Sequence, residues 1–134
     1  KIPDMDREKG DINMYQYSNA CEVYQNNQVN TSSRGKLLLM LYDGALKFLR
    51  FAMIAMEEKK IEDTNKYLIK VQDILGELMA SLNFDAGEIS KKLYSLYDFM
   101  NQELIDANIH KDSKKVKRIY SMLEELRNAW AEIV

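Results

Sequence analysis

From Leu37 to Met56 this sequence is apolar on almost every side of a helix, and that stretch constrains the fold more than any other. One stripe, Leu38, Leu41, Tyr42, Ala45, Leu49, Ala52 and Met56, has helical spacing and would suffice for a core contact. A second row, Leu39, Leu46 and Met53, runs beside it, and Leu37, Met40, Gly44, Phe48 and Phe51 fill the other flank. Polar side chains are confined to the narrow wedge of Asp43, Lys47 and Arg50. A helix apolar nearly all round is either central in its domain or covered by something else. Thr31-Ser32-Ser33 precedes it, and Ser33 is placed to cap its first turn. The spacing predicts a helix from Arg34 to Met56.

Three further helices follow by the same reasoning. Ile61 to Leu82 carries Leu68, Val71, Leu75, Leu78 and Leu82 on one face and ends at Asn83-Phe84-Asp85-Ala86-Gly87. Glu88 to Ile109 carries Ile89, Leu93, Leu96, Tyr97, Met100, Leu104 and Ala107, with Tyr94, Phe99 and Ile105 off that stripe. Asp112 or Ser113 caps a last helix presenting Val116, Ile119, Tyr120, Leu123, Leu126, Trp130 and Ile133. Long helices joined by short turns pack antiparallel to their neighbours. One proline and five glycines in 134 residues leave such helices uninterrupted. The predicted fold is all-α: an antiparallel up-down four-helix bundle with a short additional N-terminal helix or arm between Met14 and Tyr24. Residues 1–13 read as a flexible tail or cloning remnant, and 14–134 as one domain.

Composition removes several classes of function. A net charge of -2 gives no electrostatic footprint for nucleic acid. The longest uninterrupted apolar run, Leu37 to Tyr42, is far short of the ~20 residues of a membrane span. Nothing resembles a secretory signal, and the single cysteine, Cys21, has no internal disulfide partner, so a cytoplasmic location is expected. Di-iron bundles need paired Glu-x-x-His motifs, and His110 is the only histidine. No metal, cofactor or catalytic residue is expected, and Cys21 reads as a buried or incidental thiol. Asp43-Gly44 reads as a surface charge beside a close helix contact. His110, Lys111, Lys114, Lys115, Lys117 and Arg118 form a basic start to the last helix; the plain reading is solvated charges paired with neighbouring helices. The competing reading is a regulatory or adaptor bundle that docks an acidic protein there, with strong salt dependence. Eight tyrosines and eight methionines fit a core, but they also suit adaptable apolar surfaces. Beside the wide apolar helix they suggest grooves for an amphipathic partner.

Several short motifs in order carry a resemblance. They are Tyr24-Gln25-Asn26-Asn27-Gln28-Val29, Leu38-Leu39-Met40-Leu41-Tyr42-Asp43-Gly44, Gly87-Glu88-Ile89-Ser90, Leu96-Tyr97-Asp98-Phe99-Met100, Ala107-Asn108-Ile109 and Ala129-Trp130. From about Met14 to Val134 the chain resembles the flagellin export chaperones of the FliS family. The family usually opens its second helix with proline and an acidic or polar residue, where this chain has Arg34-Gly35. The resemblance implies a non-enzymatic helical bundle that binds the disordered C-terminal segment of flagellin and blocks premature polymerisation. It also implies a link to the flagellar export gate, and an N-terminal arm, here Tyr15, Tyr17 and Tyr24, that covers the groove in the free protein. On helix periodicity the groove is expected at Leu39, Leu46 and Met53, with Tyr94, Tyr97 and Ile105 next.

Overall fold

The computed structural model describes residues 19–22 and 32–133. Four long helices make up most of it: α1 (Ser32–Glu57), α2 (Ile61–Ala80), α3 (Glu88–His110) and α4 (Ser113–Ile133), with a 3-10 turn at Phe84–Ala86 between α2 and α3. Residues 19–22 are also helical. The all-α expectation holds. Because α1 begins at Ser32, Ser33 lies inside the first turn and not at the cap expected for it. Gly35 and its serine neighbours are tolerated there because the first four N–H groups of a helix need no intrahelical acceptor.

α1 packs against α2 and α4, and α3 packs against the same two helices from the other side. Arg127 donates to Asp43 at 2.9 Å, Trp130 to Tyr42 at 2.9 Å and Arg50 to Tyr120 at 3.0 Å. Residue numbers rise along α1 as they fall along α4, so this pair runs in opposite senses. Arg118 with Glu103 and Lys115 with Asp106 document the same for α3 and α4.

The core follows the predicted stripes. Tyr42, Leu49, Leu68, Leu75, Leu78, Met100, Leu104, Ile119, Leu123 and Trp130 are fully buried. Phe99, expected off the α3 stripe, is buried as well, and so are Met122 and Ala129 of α4. Cys21 joins this core, and burial pushes its thiol far above the usual range, so it is an inert thiol. Gly44 was expected to permit a close helix contact. A Cβ there would meet Ile74 Cδ1 at 3.5 Å, which is ordinary van der Waals distance, so crowding does not require the glycine.

Two turns share one device. Lys59 (φ 60°) and Lys111 (φ 52°) adopt the left-handed conformation, and the next residue's N–H reaches back five positions, Lys60 to the Ala55 carbonyl and Asp112 to that of Ala107. This closes the helix end in a Schellman pattern, with lysine where glycine is usual. Both cations lie at helix C-termini, where the macrodipole favours them. Lys111 Nζ also donates to the Asn108 carbonyl and to Asn65 Oδ1, both at 2.7 Å, tying α3 to α2. Asp112 caps α4 through bonds from the Lys114 and Lys115 amides. Gly87 (φ 87°) makes the turn into α3, a conformation glycine alone adopts without strain.

Asp106 is held below the ordinary carboxylate range, first by the hydrogen bond from Lys115 and then by the charges of Lys115 and His110. A depressed folded value adds stability that is complete above the unfolded value and is lost as pH falls through the folded one. Asp106→Asn is therefore expected to be less stable than the parent at neutral pH, with the gap closing below about pH 4. Urea unfolding at pH 7 and at pH 3 checks this. A gap as wide at pH 3 as at pH 7 would show that the ion pair is not its source.

Candidate functional site: the apolar faces of the bundle

Buried polar groups are the natural place to look for chemistry, and among the described residues Asn101 Oδ1 is the one buried side-chain polar atom without a hydrogen-bond partner. The Tyr42 hydroxyl accepts from Trp130 Nε1 and is bonded to the Tyr97 hydroxyl. Burial, reinforced by Tyr97 and Cys21, raises the Tyr42 phenol well above its usual value, so it stays protonated. Glu103, also buried, is paired with Arg118 and lies 3.7 Å from Lys115. Among the described residues no three His, Cys, Asp or Glu side chains converge as a metal site, and no helix is long and apolar enough to cross a membrane.

The basic start of α4 is neutralised in part from within, at Lys115 and Arg118. Lys115 meets Asp106 at 2.5 Å, Arg118 meets Glu103, His110 lies 3.2 Å from Asp106, and Lys111 is held by Asn65 and Asn108. Pairing with the neighbouring helix, the plainer of the two readings of this cluster, is what these contacts describe.

The apolar candidates separate into distinct environments. Leu39 and Met53 are half-buried, and Leu46 between them is buried. This row lies on the α4 side of α1, beside the Asp43–Arg127 and Arg50–Tyr120 bridges. Tyr97 is buried in the hydroxyl network, Ile105 is half-buried, and Tyr94 is exposed, its ring 5.8 Å from that of Phe84. Tyr15, Tyr17 and Tyr24 lie outside the described residues.

The bare surface of α1 is on its other flank and its outer side. Leu37 is 59% exposed, Met40 67%, Phe51 40% and Ile54 52%. Leu37 to Ile54 is about 25 Å of helix at 1.5 Å per residue. Beside the first of these residues is a recess of about 120 Å³ lined mainly by Leu37, Leu38, Leu41, Leu78, Leu82 and Trp130. The sequence identifies this flank as apolar without showing that it stays uncovered. That depends on which flank α4 occupies, and the apolar pattern is nearly symmetric about the core stripe. The polar wedge is the signal that distinguishes them: Asp43 and Arg50 have partners on α4, so the row beside them faces α4.

The comparisons with known proteins agree with one another. The family model described as Flagellar protein FliS matches residues 17–134. A relative from Bacillus subtilis (strain 168), named Flagellar secretion chaperone FliS, is 39% identical over 116 residues, spanning 87% of this chain and 86% of that protein. Relatives of the same name from Vibrio cholerae (31% over 113 residues, 84% of this chain and 83% of that one) and Salmonella typhimurium (30% over 114 residues, 84% of each) are also similar.

Proposed function

We propose, from the premise that this chain belongs to the FliS family of flagellar proteins, that it is a cytoplasmic export chaperone for flagellin. It binds the disordered C-terminal segment of flagellin on its apolar faces, keeps it from polymerising, and supports its delivery to the export apparatus, including a gate component. No catalysis and no cofactor are involved. The observation that supports this reading best is the bare row on α1, where Leu37, Met40, Phe51 and Ile54 stand exposed on a helix whose opposite stripe is core. Apolar side chains repeated along one helix suit a partner that folds into an amphipathic helix as it binds. The Leu37–Leu41–Leu82 recess is the proposed anchor point. Leu39 and Met53, with Tyr94 and Ile105 on α3, extend the contact, while Leu46 and Tyr97 support it from within the core. Tyr15, Tyr17 and Tyr24 are the proposed arm that competes for it. Ordering a free segment costs enough to keep release feasible.

Calorimetric titration with a C-terminal flagellin peptide, at low and high salt, tests this. Binding with a large negative heat-capacity change and little salt dependence is expected. Met40→Asp, a change on an exposed position, is expected to weaken it by about tenfold or more without unfolding the bundle. No binding at micromolar concentration by folded protein would overturn the reading.

A further inference from the structure

At the other end of the α1–α2 face, about 20 Å along α1 from Leu37, the chemistry changes from leucine and methionine to aromatic rings and lysines. Phe48 stacks on Tyr67 (centroids 6.2 Å apart, planes at 20°), and Phe51 meets Tyr67 edge-on at 5.2 Å. Three ammonium groups rest on these rings. Lys47 Nζ lies 4.9 Å and Lys70 Nζ 5.4 Å from the Phe48 centroid, and Lys66 Nζ 4.8 Å from that of Tyr67. None of the three is within ion-pair distance of a carboxylate among the described residues, whereas Lys60, Lys91, Lys115, Arg118 and Arg127 all are. Beside the rings is a recess of about 150 Å³ lined by Phe51, Ile54, Ala55, Tyr67, Glu58, Lys60 and Asp63.

We propose that this patch docks an acidic segment of a partner protein, one that places a large apolar side chain in the recess and carboxylates against Lys47, Lys66 and Lys70. The complementarity follows from the charges. An ammonium held only by a ring face gives up little when a carboxylate draws it away, and the three cations are otherwise uncompensated. Asp63 fixes the orientation, because it repels carboxylates at the turn end, where Glu58 is already paired with Lys60, and leaves the lysine side open to them. The anchor is Phe51, exposed but steadied by two neighbouring rings. The proposal shares Phe51 and Ile54 with the exposed row of the flagellin reading but does not depend on it, because that reading is anchored at the Leu37 end and this one also needs the three lysines.

The test is fluorescence anisotropy with a short labelled peptide in which glutamates flank a leucine-phenylalanine pair, and with its glutamine counterpart. The glutamate peptide is expected to bind more tightly than the glutamine one and to lose affinity as salt rises. Combined Lys47→Gln, Lys66→Gln and Lys70→Gln substitutions, which keep good helix formers in place, are expected to weaken it by about tenfold or more. Phe51→Ala weakens it too, and Lys114→Gln with Lys117→Gln, exposed lysines on α4, leaves it within about twofold. Equal binding of both peptides, or equal losses from the two lysine sets, would overturn the proposal. So would a triple variant that binds like the parent.

Discussion

Trp130→Ala is expected to lower the unfolding free energy by about 3–5 kcal/mol, a large share of the stability of a domain this size. Trp130 is 1% exposed and is among the largest fully buried side chains, so its removal leaves a cavity among side chains that are themselves locked in place. The change also deletes the indole N–H that donates to Tyr42, whose hydroxyl is then left with the Tyr97 hydroxyl. Trp130→Phe separates the two effects. It keeps most of the ring volume and loses the donor, for an expected cost of about 1–2 kcal/mol. Guanidinium unfolding followed by circular dichroism measures both, since the alanine variant has no indole fluorescence. A loss under about 1 kcal/mol for Trp130→Ala would mean that the helices collapse around the site and that the hydroxyl network does not organise them.

The residues of that network show how far the sequence could be read. Tyr42, Tyr97 and Trp130 all fall on predicted core stripes, because three turns of periodic spacing on each helix fix an inward direction without knowledge of the neighbours. The cap of α4 was legible to within one residue, as Asp112 or Ser113, for the same local reason: the hydrogen bonds to Asp112 come from only two and three residues ahead. The flanks of α1 were not legible from their apolar pattern, and the only sequence signal that separates them is the polar wedge of Asp43 and Arg50. Leu39, Leu46 and Met53 on one side and Leu37, Met40 and Phe51 on the other are equivalent in pattern, and only the position of α4, a long-range fact, covers the first set and leaves the second exposed. Polar residues mislead similarly. Glu103 reads as solvated from its type, yet it is 2% exposed because Arg118 and Lys115, more than ten residues away, neutralise it. The lysines of α1 and α2 are ordinary surface charges in the sequence. Lys47 and Lys66 lie over the rings next to them in sequence, but only the packing of α1 on α2 brings Lys70 over Phe48 and stacks Phe48 and Phe51 against Tyr67.

Glu103 and Arg118 are expected to be unequal when cut singly. Arg118→Leu removes the closer partner of a buried carboxylate and leaves Lys115 3.7 Å away, itself drawn to Asp106 at 2.5 Å. An incompletely compensated buried charge is among the most destabilising single changes, about 3–5 kcal/mol when nothing replaces the partner. With Lys115 remaining, the expected loss is about 2–3 kcal/mol. Glu103→Leu takes the opposite course. The Arg118 side chain is 41% exposed and returns to water, while Lys115 keeps Asp106, so the expected loss is under about 1 kcal/mol. The double variant places two leucines at the α3–α4 seam and is expected to be within about 1 kcal/mol of the parent, or more stable. Urea unfolding of all four proteins at one pH closes the cycle, and the coupling between the two sites is the quantity to read. Similar losses for the two single variants would refute this account. They would mean that Glu103 is hydrated well enough to stand alone, and that Arg118 holds α4 to α3 chiefly by the packing of its aliphatic stem.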